Sequence, residues 1–534
     1  MNFSPRRESD PAFWLPLGLI AALLALRVVF LFRHAVDSDE AQHLHVIHEW
    51  LSGGIPYRDF FDNHTPLFHW LFLPFARLAG ETPDVVLYAR LAQIPISFGI
   101  VGLFYLLARR LYDGVTVLWA LALTLALADW SLKALEFRPD VLWAALWFAA
   151  LWVLAREPGW RTFFFAGILL GIALMVSVKT TFLLAGLGLG WTGAWVVSAE
   201  FRSAYPLRRI AECAVAAAAG FVVVPAIFAG WFAAHGALGA MRFCLLTVNQ
   251  PEAPSWWRVA LFLAGAPVAL AIAWRMCREE NGLRAAIFLA AAFYALLVIG
   301  FSPSLKKQTF LPVYPILILT AAGAVHSLRW RWTRQAEATA CLLLLAHQVV
   351  EAAPWSDGMA EQRALLRDTL ALTRPGDYVL DLKGETIFRR RPIYLAYVQA
   401  TTRGIESGRL PDGDPARLSA TGAAVVIGGG AGFPAPMRKF LKDHYVPSGD
   451  GRLRVAGNVL ERKWVDGQWA SCAELPVGGN YVVLQDGRTL IGNVSASAGL
   501  FIFHGEGLKR VLLYWKPAWD AGQRPLVSGI PGLR

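Results

Sequence analysis

Apolar residues in this chain come in blocks long enough to cross a lipid bilayer, and this limits its fold more than any other feature. A spanning helix takes roughly 17–25 residues. In lipid every backbone polar group must be satisfied inside the segment, so such blocks read as helices. About eleven candidate spans lie near 13–33, 86–107, 113–129, 140–155, 162–178, 182–198, 210–233, 258–274, 285–301, 310–327 and 335–352. Composition agrees: 56% of residues are hydrophobic and 17% charged, against about half and a quarter in a soluble domain. The block at 13–32 is too long for a signal-peptide core and has no small-residue cleavage site, so it reads as a retained first span.

Basic residues orient the bundle. Arg6/Arg7, Arg109/Arg110, Arg156/Arg161, Arg202/Arg208/Arg209, Arg275/Arg278/Arg284 and Arg329/Arg331/Arg334 fall in alternate loops. The positive-inside bias places those loops and the N-terminus in the cytoplasm, and the C-terminal third outside. The net charge of +11 therefore reflects topology rather than nucleic-acid binding, because no basic stripe is interleaved with exposed aromatics. The 22 tryptophans suit two membrane interfaces. Five cysteines are scattered without metal-site spacing. Only Cys244 and Cys472 fall on the outer side, so at most one outer disulfide could form, and none is expected.

Residues 354–534 are a different material, with short apolar runs among charges and glycines. Helices are expected at 358–373 and 435–444 and strands at 377–383 and 422–428, giving an α/β region over 354–455. From 456 to 534 short strands and turns predict a β-sandwich-like module, with Asp486-Gly487 as a hairpin signal.

The chemistry-bearing residues gather in the outer loops. Asp37, Asp39 and Glu40 follow the first span. Asp37 or Ser38 can cap a helix running to about Leu51, where acids suit the positive end of the dipole. A carboxylate here can also act as general base, or two can hold a divalent cation. His43, His45 and His48 follow; Asp39 and His43 share a face at i,i+4, a candidate metal pair. The plainer reading makes these histidines a solvated face of an interfacial helix. Arg58 and His64 lie in a polar turn that ends at Pro66, either re-entering a second interfacial helix or lining an anion site. Asp140 opens the fourth span, at a depth where a charge needs a partner or a function, with Arg138 the nearest cation. Lys179 interrupts two apolar segments and either meets a lipid phosphate or snorkels. Lys306 and Lys307, adjacent in the last outer loop, suit a phosphate as point charges, ahead of Pro312 and Pro315.

Taken in order, these pieces resemble the GT-C fold membrane glycosyltransferases, in the bacterial branch related to protein O-mannosyltransferases and lipid A aminoarabinose transferases. The residues that carry the likeness are Asp39-Glu40, Gly54-Ile55-Pro56-Tyr57-Arg58-Asp59, Asp62-Asn63-His64-Thr65-Pro66-Leu67, Arg138-Pro139-Asp140 and Lys307-Gln308-Thr309-Phe310-Leu311-Pro312, over about residues 10–330. The resemblance implies a multi-pass protein of the bacterial inner membrane, with a transmembrane glycosyltransferase domain over 1–353 whose catalytic first outer loop is 34–85. It implies transfer of a hexose or pentose from a polyprenyl-phosphate carrier to a lipid, glycan or protein acceptor. Asp39, with Glu40 beside it, and Asp140 would be the catalytic acids. Lys307, Lys306, Arg138, Arg58, His64 and Lys179 would meet the donor phosphate. Relatives often carry lysine where this chain has His64, which is only partly charged near neutral pH. No nucleotide cofactor is implied, in keeping with the lack of a phosphate-cradling glycine loop; a divalent cation at Asp39 and His43 is compatible with the pattern. The rival readings are a transporter or lipid flippase, which would place its charges at mid-depth in a repeated fold, and a catalytically inactive assembly protein on the same fold.

Overall fold

The computed structural model describes residues 11–250, 254–278, 281–302, 305–328, 330–411, 413–428, 432–465, 468–503 and 510–530. Arg6, Arg7, Arg329, Pro303, Ser304 and the tail of the expected strand after Phe503 lie outside them. The chain divides into two compact units, one of Met1–Val36, Asn63–Phe72 and Leu87–Met359, the other of Asp37–Asp62, Leu73–Val86 and Ala360–Arg534.

The first unit is a helical bundle. A helix stands at each of the eleven expected spans, from Pro11–Arg33 to Thr333–Ala352. Among the described residues, six helices are long and apolar enough to cross a membrane: Phe13–Arg33, Val85–Leu111, Thr180–Val197, Leu207–Ala234, Trp256–Cys277 and Gly282–Phe301. Gly114–Ala126, Pro139–Leu154, Trp160–Val176 and Tyr314–Ser327 are apolar but shorter. At 1.5 Å per residue, a 13-residue helix such as Gly114–Ala126 reaches only about 20 Å. Exposed Val215, Val222, Ile227, Leu263, Val268 and Leu343 give the bundle an apolar exterior of the kind lipid covers.

Close approach of helix backbones holds part of this bundle. Helices Trp160–Val176 and Leu207–Ala234 pack along each other. A Cβ on Gly167 would lie 2.2 Å from the Ala217 carbonyl oxygen, on Gly171 2.3 Å from that of Phe221, and on Gly220 2.1 Å from that of Phe164. Small residues four apart allow van der Waals contact where the hydrophobic effect cannot act between helices.

The second unit contains the helix Ser38–Leu51 and the C-terminal region. Its strands are β1 (Val379–Leu380), β2 (Val425–Ile427), β3 (Tyr445–Ser448), β4 (Leu453–Val459), β5 (Glu461–Val465), β6 (Gln468–Leu475), β7 (Gly479–Gln485), β8 (Thr489–Ala496), β9 (Gly499–Phe503) and β10 (Val511–Trp515). One sheet runs β1-β2-β4-β10-β7-β8, with β3 also paired to β4, so a single sheet passes through both 354–455 and 456–534. A smaller sheet runs β5-β6-β9. Among these described strands, the pairing of β1 with β2 is parallel and the others are antiparallel. Period-2 alternation divides the large sheet's side chains between two cores: Tyr481, Val483, Val511 and Leu513 pack with Met437 and Leu441, while Val482, Leu484, Leu512 and Tyr514 pack with Leu365. The hairpin signal at Asp486-Gly487 joins β7 to β8, and both residues adopt the left-handed backbone such turns use.

The glycine contacts generate a test. Gly171→Leu should destabilise the detergent-solubilised protein by about 1–3 kcal/mol or more, as overpacking against rigid backbone does. Gly188→Leu, with nothing within 4 Å of the new Cβ, should leave the melting temperature nearly unchanged in the same thermal scan.

Candidate active site

The three acids after the first span divide their work. Asp37 is the N-cap of helix Ser38–Leu51; its Oδ1 accepts from the Asp39 amide at 2.9 Å, and its own amide donates to Glu40 Oε2 at 3.0 Å. This capping box satisfies two helix-start donors and takes up Glu40, which is fully buried. Asp39 is left at the second helical position, part-exposed, and its Oδ1 pairs with Lys383 Nζ at 2.5 Å.

Lys383 is a site residue the sequence reading missed. It follows β1 in a loop organised by buried Asp381. Asp381 accepts from the amides of Gly384 and Thr386, from Thr386 Oγ1 and from Arg391 Nε, at 2.8–3.0 Å. Glu385 Oε2 accepts from the Lys383 amide at 2.9 Å. Burial, with the Asp381 charge adding, pushes the Glu385 carboxyl above its ordinary range.

That loop covers the histidine face of the helix. His45 Nδ1 donates to the Ile387 carbonyl at 3.1 Å. A Cβ on Gly384 would lie 2.6 Å from the His45 Cβ, so only glycine fits there, at φ +111°. The His48 ring stands edge-on to Phe388 at 5.4 Å. His43 and His45 are 1% and 5% exposed, which corrects the solvated-face reading; what covers His45 lies more than 300 residues away in sequence. Arg389 with Glu81 at 2.9 Å and Arg363 with Asp84 at 2.7 Å tie in the strip Leu73–Val86. Among the described residues, no group of three or more His, Cys, Asp and Glu is placed to hold a metal ion, and the Asp39–His43 pair belongs to no such cluster.

Arg58 is exposed and grips Asp59 through two contacts of 2.8 and 2.9 Å. Asp59 also accepts the Ile55 amide at 2.8 Å, closing the turn. The Arg58 hydrogen bonds hold the Asp59 carboxyl below its usual range.

In the first unit a chain of alternating charges runs through the second loop. Lys133 meets Glu136 at 2.6 Å, Glu136 meets Arg138 at 2.6 Å, Arg138 meets Asp140 at 3.4 Å and Asp140 meets Lys179 at 2.7 Å. Glu136, Arg138 and Asp140 are buried, while Lys179 at one end is a third exposed. Sequence proximity points to Arg138 as the partner of Asp140, but Lys179 is the nearer one. Three cations against two carboxylates leave the chain one positive charge, a local bias toward anions. Lys307 opens a 3-10 turn, Lys307–Phe310, and sits between Asp129 at 2.7 Å and Glu351 at 2.6 Å. Its hydrogen bonds to those carboxylates, Asp129 first, push its pKa up. Lys306 beside it is exposed. Trp130 Nε1 donates to the Leu311 carbonyl at 3.1 Å and Tyr294 Oη to that of Thr309 at 2.7 Å, fastening this turn to the second loop and to helix Gly282–Phe301. His64 is half-buried, its ring 6.3 Å from that of His69. Neighbouring Asn63 exchanges hydrogen bonds with Asn249 at 3.0 and 3.3 Å.

No protein-family model matches the chain, and no curated protein matches it in sequence. Solved structures do match in fold. ArnT from Cupriavidus metallidurans bound to undecaprenyl phosphate superposes with a TM-score of 0.52 at 16% identity, over 82% of this chain and 98% of that one. Its apo state gives 0.51 with the same identity and coverage. The chain has a GT-C fold. A more distant likeness, with a TM-score of 0.45 at 13% identity over 82% of this chain and 73% of the other, is to the Archaeoglobus fulgidus oligosaccharyltransferase in the apo form. This GT-C protein is thus a multi-pass membrane protein with a strand-containing C-terminal region.

His48 supplies a pH test of the covered helix. Burial first, then the charges of His45, Arg389 and Arg390, lower its pKa from 6.5 to about 4. The unfolded chain therefore binds the proton more readily, so the neutral ring's contribution is fully present above about pH 6.5 and is lost as pH falls toward 4. Thermal midpoints should drop over that window, and His48→Phe, which keeps an edge-on ring but cannot titrate, should flatten the drop. Equal slopes for the two proteins would remove His48 from the account.

Proposed function

We propose that the protein transfers a monosaccharide from a polyprenyl-phosphate carrier to an acceptor hydroxyl or amine, by a single inverting displacement. The observation that carries the reading is Asp39: a carboxylate fixed in the first turn of a covered helix, part-exposed and held by Lys383, on a GT-C fold. The neighbouring fold of ArnT has been seen with undecaprenyl phosphate bound, which supports a lipid-phosphate donor here.

In this reaction the acceptor oxygen or nitrogen attacks the anomeric carbon and its proton passes to Asp39. The bond from that carbon to the phosphate oxygen breaks, and the polyprenyl phosphate leaves with the electron pair. Positioned base catalysis contributes roughly 10²–10⁴-fold, and orientation and charge stabilisation supply the rest. Lys179, the part-exposed end of the chain with excess positive charge, meets the phosphate, with exposed Lys306 and half-buried His64 as further donors; Arg138, buried between Glu136 and Asp140, holds that chain in place. Asp140 keeps both cations in place. Lys307 already holds two carboxylates, so it meets phosphate only by exchanging one of them. Arg58, closed on Asp59, is the weakest candidate, and Glu40 supports Asp39 by capping its helix. The bacterial inner membrane, with the acids on its outer face, is the compartment this chemistry suits.

Asp39→Asn keeps the shape and removes the base. Transfer from a radiolabelled polyprenyl-phosphate sugar by purified protein in liposomes should fall by at least about 100-fold. Lys179→Met should instead weaken polyprenyl-phosphate binding by about tenfold, as loss of a charged hydrogen bond does. An unchanged rate for Asp39→Asn would remove the base assignment.

A further inference from the structure

A polar cavity of about 330 Å³ lies inside the second unit, lined by the far half of helix Ser38–Leu51, the turn after it and residues 378–394. Glu49 lines it, is only 6% exposed, and its Oε1 has no hydrogen-bond partner among the described residues. A buried carboxylate oxygen left this way is costly, and a ligand bringing a donor relieves it. His45 also lines the cavity. Its Nδ1 donates to the Ile387 carbonyl, so whenever the ring is uncharged its Nε2 is a second acceptor. Arg390, exposed and also lining the cavity, brings guanidinium donors, one of them 3.5 Å from the Ser52 carbonyl. Phe61 and Tyr394, edge-to-face at 6.0 Å, add aromatic surface, and the Tyr394 hydroxyl donates to the Tyr57 carbonyl, which fixes that ring.

This wall has a definite complement. Carboxylate and imidazole accept from hydroxyls, a guanidinium donates to them, and aromatic faces take the C–H side of a ring. The charges nearly cancel: Asp59 is closed by Arg58 and Arg391 by Asp381, leaving Glu49 against Arg390. A strongly charged ligand of either sign would meet one of them unfavourably, while a neutral polyhydroxylated ring suits both. Along the helix, His45 and Glu49 lie about 9 and 15 Å from Asp39, which is too far for the hydroxyl that loses its proton there.

We propose that this cavity holds a neutral sugar ring of the acceptor, removed from the unit being glycosylated, so that the acceptor is a glycan or glycolipid. This rests on the transferase reading above. The test uses the full-length protein in nanodiscs with maltotriose, triacetylchitotriose and xylotriose as probes, read by saturation-transfer NMR, and polyprenyl phosphate binding measured on the same samples. At least one trisaccharide should bind saturably, and Glu49→Gln and Arg390→Ala should each weaken it by about 10-fold or more while polyprenyl phosphate binding stays unchanged. Arg390 is exposed, so its variant decides the matter even should Glu49→Gln fold poorly. No saturable binding of any trisaccharide, or binding that Arg390→Ala leaves intact, overturns the subsite. Such a failure with polyprenyl phosphate still bound leaves the transferase reading standing; wild-type protein that does not bind polyprenyl phosphate strikes that reading instead.

Discussion

The helix Ser38–Leu51 cannot be expected to hold its shape alone. It has 14 residues, a length at which isolated helices are marginal in water, and it buries two histidines and two glutamates. What fixes it is the loop after β1. The Asp381 hub shapes that loop, Lys383 pairs with Asp39, and the Ile387 carbonyl accepts a hydrogen bond from His45. The orientation of the candidate base therefore depends on residues more than 300 positions downstream. The C-terminal region thereby holds an acid that lies far from it in sequence.

The buried charges of the first unit follow a complementary logic. Desolvating Glu136, Arg138 and Asp140 is expensive, and a strand of alternating partners compensates each one. Removing one member would leave a neighbour uncompensated, at about 3–5 kcal/mol. An arrangement so costly to perturb keeps its part-exposed end, Lys179, in one place. Lys307 follows a different pattern: flanked by two acids, it carries its own counter-charge.

Much of the fold was legible because its signals are local. Each expected span became a helix within a few residues, since a run of apolar side chains needs no knowledge of its neighbours. The same holds for helices Ala360–Leu372 and Ala435–His444 and for the Asp486-Gly487 turn. Contacts between distant segments were not legible. Nothing near Lys383 in sequence points to Asp39, 344 residues away, beyond a glycine directly after it where the chain turns. Lys179 was seen as an isolated cation because its carboxylate is 39 residues upstream. The pattern alone marks the histidines as a wet helix face, because the cover over His45 and His48 comes from the C-terminal region. Strand neighbours such as β4 beside β10 are likewise set by tertiary packing rather than by any local pattern.

The central physical claim is that the C-terminal loop holds the Asp39 helix in place. Hydrogen exchange over residues 38–51 tests it most directly, comparing the full chain in nanodiscs with Lys383→Ala and with a chain ending at Met359. The account predicts strong amide protection in the full chain, faster exchange at the helix start in Lys383→Ala, and loss of protection along the whole helix in the shortened chain. Protection that survives removal of residues 360–534 would contradict it.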